Sequence, residues 1–375
     1  MATGGLGALA CVTDANAQTT PPLGFADQEP VKEYWNKRLR DIVNIDYMKD
    51  APELADEAAR ERHRIYSYLL MKLIVRFWNG NKRGPIGNYP FRQQQIEVQE
   101  AQAKRYKGDI IANPEGSRIN WDRYIGHNIA CIAVDGNGEI IDFDFNHNDF
   151  FRSSAEHAEA RIVRRLFSLT DIRDGWKTGR PIGNKSRAFS LNDVTLYTSL
   201  ESCAQCSGMM SLGQVKQVIY LQNDFTAYMI GNIMYNLANR VGTLPGAPVP
   251  IPASEIDLEE FKALNGANLT FVTNIINAKN RNDLSSAFFV PPLDHNSVPD
   301  FEPSITSFLC TDAALNIFKS GSQKLDAMTL NFPGYRHPSD ADHPDVMTNE
   351  QCLKEANEFY HYADIEGYRG SPHKL

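Results

Sequence analysis

Between Ile129 and Leu221, short β-prone runs alternate with helix-period segments in the order β-β-α-β-α-β, and nothing else in the chain limits its fold as strongly. Ile129-Ala130-Cys131-Ile132-Ala133-Val134 and Ile140-Ile141-Asp142-Phe143-Asp144-Phe145 flank Asp135-Gly136-Asn137-Gly138, a turn that predicts a hairpin. A helix is expected from near Ser154 to Leu169, then a strand over Val194–Leu200, a helix from Cys203 to near Leu212 and a strand over Gln217–Leu221. Helices that alternate with strands cover a sheet, so the expected class is α/β: a three-layer α-β-α core around a mixed sheet.

The flanks read differently. Apolar residues recur at helical spacing over Val31–Tyr47 and Pro52–Trp78, where Ile65, Tyr68, Leu69, Leu73 and Phe77 share a face. Gln93–Lys107 reads as a third, polar helix that Gly108 ends. Downstream, Ala227–Val241 and Glu255–Leu264 read as helices, Pro245–Pro252 as a Pro-rich link and Leu269–Thr273 as a strand. The remainder is irregular apart from a helix at Asn349–Tyr360.

Composition excludes some functions. With 42% hydrophobic and 22% charged residues the chain is of the soluble globular type. Its net charge of −8 argues against a general polyanion binder, which needs Lys and Arg to displace counterions. No apolar run is long enough for a membrane span; the best stretch, Tyr66–Trp78, is broken by Lys72 and Arg76. Six cysteines (Cys11, Cys131, Cys203, Cys206, Cys310, Cys352) in so long a chain do not make a disulfide framework, and a reducing, cytoplasmic compartment fits them. The apolar run Gly4–Val12 before Ala15-Asn16-Ala17 leaves an exported form open, although no Lys or Arg precedes it.

Two strings carry the chemistry: Ser154-Ala155-Glu156-His157-Ala158-Glu159 and Ser202-Cys203-Ala204-Gln205-Cys206, each at an expected helix start. Cysteines three apart in a first helical turn present both sulfurs on one side, at the bite a tetrahedral Zn²⁺ requires. One imidazole and two thiolates balance the metal's charge and leave a fourth position for water, the arrangement of a catalytic site. A structural site would be closed by a fourth ligand; the chain has no second C-x-x-C, and His147 and Cys131 are the nearest candidates. Glu159, two residues past the histidine, is placed to carry protons.

These strings resemble the cytidine deaminase superfamily, whose signature is H-x-E followed by P-C-x-x-C. Thr195-Leu196-Tyr197-Thr198-Ser199-Leu200-Glu201-Ser202-Cys203-Ala204-Gln205-Cys206-Ser207-Gly208-Met209-Met210, with Val218–Asp224 after it, looks most like the branch holding tRNA adenosine deaminases and guanine deaminases. The resemblance spans residues from about 125 to 225. It implies Zn²⁺ on His157, Cys203 and Cys206, Glu159 as the acid/base, and Asn146, with Glu201 and Ser202, at the substrate. One departure stands out: Ser202 occupies the position of the family's proline, where it is expected to cap the following helix. The division that follows is a flexible tail (1–30), a helical extension (31–115), a zinc deaminase domain (116–275) and a C-terminal extension packed on it (276–375).

Substrate choice rests on the flanks. The expected substrate is a small nucleobase or nucleoside, purine-type, and no membrane partner is expected; a homodimer stays open. A nucleic-acid deaminase is the alternative, because Arg173, Lys177, Arg180, Lys185 and Arg187 in the insertion Thr170–Asn192 could reach a phosphate backbone. Trp176, Phe150 and Phe151 could stack on a heterocycle. Of Arg161, Arg164 and Arg165, at least two are expected to face water. A zinc-stabilised interaction protein without activity is the third reading, and it requires a fourth protein ligand.

Overall fold

The computed structural model describes residues 45–78, 128–148, 153–168, 190–225, 229–241, 248–277, 304–338 and 344–366. The tail, most of the helix expected before Tyr47, the helix at Gln93–Lys107, the basic residues of the insertion, and Phe150, Phe151 and Trp176 lie outside them.

A five-stranded mixed sheet lies at the centre: β1 (Ala130–Val134), β2 (Ile140–Phe145), β3 (Thr195–Thr198), β4 (Gln217–Tyr220) and β5 (Val249–Pro252), in the order β2-β1-β3-β4-β5. β1 pairs antiparallel with β2 and β3, whereas β3, β4 and β5 run parallel. Period-2 alternation sorts the side chains between two cores. Cys131, Ala133, Leu196 and Val218 face one cluster; Ile132, Val134, Phe143, Phe145, Tyr197 and Ile219 face the other.

Helices cover both faces. α1 (Glu57–Arg76) is capped by Asp56, whose side chain accepts from Ala58 N. α2 (Ala158–Ser168), α3 (Ala204–Leu212) and α4 (Ile230–Val241) follow β2, β3 and β4 in turn. Beyond β5 come α5 (Glu259–Asn277), α6 (Asp312–Asp326) and α7 (Asn349–Glu366). α2 and α3 bury Ala158, Ile162, Val163, Leu166 and Met210 against the first face of the sheet. α1, α6 and α7 pack together on the second, joining Ile65, Leu69, Phe318 and Phe359 to the strand residues in one core. Gly321 of α6 lets α1 come close: a Cβ there would meet Met71 Sδ at 2.0 Å.

The α/β sandwich is as expected, and four details differ. α2 starts at Ala158 and not near Ser154, because Ser153 first forms a turn in which its Oγ accepts from Ala155 N. Pro245–Pro252 is no mere link: its last four residues are β5. Val249 N donates to Lys216 O, so Pro250 and Pro252 turn their missing donors to the outer edge, where proline is tolerated. Leu269–Thr273 is helix, inside α5; the burial of Leu264, Asn268, Phe271 and Ile275 has the helical period and overrides a β-prone composition. α6 is absent from the sequence reading, although Thr311 caps it and Ala314, Phe318 and Leu325 give its buried stripe. Among the described residues no helix is long and apolar enough to cross a membrane.

Candidate metal centre

The two motif strings meet at one end of the sheet. Asn146, just past β2, accepts from Ala158 N at 2.8 Å through Oδ1 and so caps α2 from outside the helix. Gln205 of α3 donates to Ala155 O at 3.0 Å, drawing the loop of His157 towards the cysteines. Cys203 itself is the N-cap of α3, and Cys206 is one turn further on.

The triangle of donor atoms is small. His157 Nδ1 lies 3.3 Å from Cys203 Sγ and 3.5 Å from Cys206 Sγ, and the sulfurs are 3.6 Å apart. Tetrahedral Zn²⁺ with ordinary bond lengths needs N···S edges of about 3.6 Å and an S···S edge of about 3.8 Å. Each observed edge is within a few tenths of that, so the residues fit the ion. Two backbone amides support the sulfurs: Cys206 N–H points to Cys203 Sγ and Ala160 N–H to Cys206 Sγ. The Cys203 thiol is drawn down to about 4, first by the S–H of Cys206 and then, against burial, by His157. His157 is raised by its bond to Cys203, and Cys206 is raised as the donor of the sulfur pair and by burial. An imidazole and two sulfurs are a donor set that suits zinc.

Glu159 stands beside this triangle without belonging to it. The ligand atoms of His157, Cys203 and Cys206 lie within 4.8 Å of one another, and no other acidic, histidine or cysteine side chain joins that group among the described residues. Its Oε1 accepts from Thr198 Oγ1 at 3.2 Å and Ser202 Oγ at 3.1 Å, while Oε2 is 3.6 Å from Cys206 Sγ. The side chain is buried, and burial raises its pKa.

Other expected residues have different surroundings. Ser202 is not the helix cap; that position is Cys203, and the serine hydroxyl turns to Glu159 instead. Glu201 holds the loop into α4, accepting from Asp224 N at 3.1 Å and Met229 N at 2.5 Å; burial pushes it up to about 7 against these bonds. Neither candidate fourth ligand reaches the triangle. Cys131 is buried within β1, and His147 Nδ1 bonds Phe145 O at 2.7 Å. Thr198 was missed: nothing in the spacing of a strand threonine signals that its hydroxyl will meet a carboxylate 39 residues earlier.

Two of the three arginines of α2 are turned to carboxylates and not to water. Only Arg164 is mainly exposed, at 61%. Arg161 Nε pairs with Asp144 at 2.8 Å and its Nη1 with Glu156 at 2.5 Å; Arg165 pairs with Asp142 at 2.9 Å and also with Asp144. Asp142 and Asp144 alternate with Phe143 and Phe145 on β2, so the edge strand presents carboxylates to α2 and the helix answers with cations at i and i+4. Burial works to raise Asp144, yet Arg165, His147 and Arg161 together hold it well below the usual carboxylate range. Its stabilising contribution is therefore complete above about pH 4, the range of a free aspartate, and is lost as pH falls further. Arg165→Met should leave both aspartates short of a partner and cost about 3–5 kcal/mol. Denaturant unfolding at pH 7 measures this; a loss under 1 kcal/mol would show the network to be solvated.

Residues 115–222 match the family "Cytidine and deoxycytidylate deaminase zinc-binding region", a segment that contains both motif strings. No curated protein matches the chain. Among solved structures, one from a study of A-to-I editing by tRNA:A34 deaminases at the wobble position of transfer RNA aligns at 17% identity. That alignment covers 43% of this chain and 98% of the other, with a TM-score of 0.23. The matched segment holds the hairpin, both helix starts and the metal-binding triangle, and over these residues the chain is similar to the cytidine and deoxycytidylate deaminase zinc-binding region.

Proposed function

We propose that the chain is a hydrolytic deaminase of an amino-substituted nucleobase or nucleoside, purine-type, that releases ammonia, with Zn²⁺ on His157, Cys203 and Cys206. The observation that carries this reading is a buried carboxylate, Glu159, beside a three-ligand triangle that no fourth side chain closes among the described residues. Zinc, when bound, brings the pKa of water from ~16 to about 7. Glu159 takes one proton from the attacking water and passes it to a ring nitrogen; it then takes the second proton from the hydroxyl added to the ring carbon and gives it to the amine, so that ammonia leaves as the C–N bond breaks and the carbonyl forms. Burial of this carboxylate suits the task, since a group that must both accept and release a proton works best with its pKa moved towards neutrality.

Asn146 adds a substrate contact. Its Oδ1 is committed to Ala158 N, so the amide nitrogen is the end that offers a donor to an acceptor on the heterocycle. Glu201 serves the pocket indirectly, by fixing the loop at Asp224 and Met229. A small substrate is favoured over nucleic acid by the net charge of −8 and by the pairing of Arg161 and Arg165 with carboxylates, which takes those cations from a phosphate backbone. Ammonia release measured over nucleobases, nucleosides and short oligonucleotides tests the proposal. Turnover of an aminopurine or its nucleoside is expected. Activity on oligonucleotides alone, steeply salt-dependent, would replace the small-substrate reading, and no release from any compound would end the deaminase reading.

A further inference from the structure

A carboxylate this close to a metal triangle has a second fate open to it, which is to become a ligand. Glu159 Oε2 is already 3.6 Å from Cys206 Sγ, and carboxylate oxygens are ordinary zinc ligands. A modest swing of the side chain would close the site with four protein ligands. Two hydroxyls oppose that swing: Thr198 Oγ1 and Ser202 Oγ both donate to the other oxygen, Oε1. They come from opposite ends of the stretch between β3 and α3, one on the strand and one at the position next to the first cysteine. Thr198 is fully buried and Ser202 is 4% exposed, so water does not readily replace either donor.

We infer that Thr198 and Ser202 are positioning residues that tether Glu159 off the metal, keeping it a proton carrier and not a fourth ligand. The inference rests on the metal-centre reading and gives the departure from the family motif a role. Proline at position 202 has no hydroxyl to donate; serine there supplies half of the tether. Two donors on one oxygen also fix the rotation of the carboxylate, which leaves Oε2 as the oxygen turned to the cluster.

The test uses the full chain loaded with Co²⁺, whose visible ligand-field bands report what coordinates the metal whether or not the protein turns anything over. Ser202→Ala, Thr198→Val and the double variant are compared with Ser202→Thr, which keeps a hydroxyl. The double variant should still bind one metal ion per chain while its bands shift, and adding Glu159→Ala to it should return them to the wild-type positions. Turnover should fall about tenfold for each hydroxyl lost, in kcat with KM within about twofold, and Ser202→Thr should retain it. The single variants carry the same comparison if the double variant does not fold. Unchanged bands in the hydroxyl-deficient variants, or a shift that persists without Glu159, would overturn the tether. A wild-type chain that binds metal but releases no ammonia would end the deaminase reading and leave the spectra to decide the tether; a chain that binds no metal would end both.

Discussion

Glu159→Gln should reduce turnover by about 10³-fold while leaving zinc content unchanged, since removing a positioned general acid/base typically costs 10²–10⁴-fold. The amide is nearly isosteric with the carboxylate, and its oxygen can still accept from Thr198 Oγ1 and Ser202 Oγ, so the side chain keeps its place. What it loses is the ability to carry a proton. None of the three ligand side chains is touched, and Glu159 lies outside their triangle, so metal binding has no reason to weaken. The effect should be in kcat, because a proton transfer made only in the transition state contributes little to ground-state binding. Metal content by atomic absorption and ammonia release under saturating substrate are the two measurements. Turnover within tenfold of wild type would remove Glu159 from the mechanism, and loss of zinc would recast it as a ligand.

Much of this site could be read before any coordinates, and the reason is local. His157 and Glu159 are two residues apart and Cys203 and Cys206 three apart, so the backbone around each string fixes their relative placement almost unaided. The hairpin and the strand–helix order bring the strings to one end of the sheet, and the β-prone runs that form β1, β3 and β4 were legible for the same reason. What stayed hidden depends on tertiary partners. That Arg161 and Arg165 are buried follows only from Asp142 and Asp144 pointing at α2 from the neighbouring strand. β5 was hidden because prolines argue against a strand until it is known to be an edge. Helix α5 was split because Leu269–Thr273 has strand-like composition and its helical burial appears only in the packed chain. Thr198 and Ser202 reach Glu159 across 39 and 43 residues, a separation over which sequence spacing carries no information.

Cys206→Ala should abolish stoichiometric zinc binding and make the fold indifferent to chelators. Cys206 is fully buried and packs in the cluster with Cys131, Ala158, Met210 and Val218, so its sulfur is both a ligand and a core atom. Apparent binding energies of structural zinc sites are about 10–16 kcal/mol over four ligands, so one thiolate among three is worth roughly 3 kcal/mol or more, a loss of at least ~10²-fold in affinity. Zinc binds the folded chain in preference to the unfolded one, and at a hundred times the dissociation constant this linkage amounts to about 2.7 kcal/mol of stability. Chelation should therefore lower the melting temperature of the wild-type protein by several degrees and leave that of Cys206→Ala unchanged. The variant should melt no higher than chelated wild type, and lower to the extent that the space left by the sulfur stays unfilled. Cys203→Ala separates the two contributions. That sulfur is only partly buried, so its loss should remove the metal with less damage to the core. Wild-type melting that ignores chelators, or a Cys206→Ala protein that still holds one zinc per chain, would mean that these three side chains do not form the metal centre on which the chemistry depends.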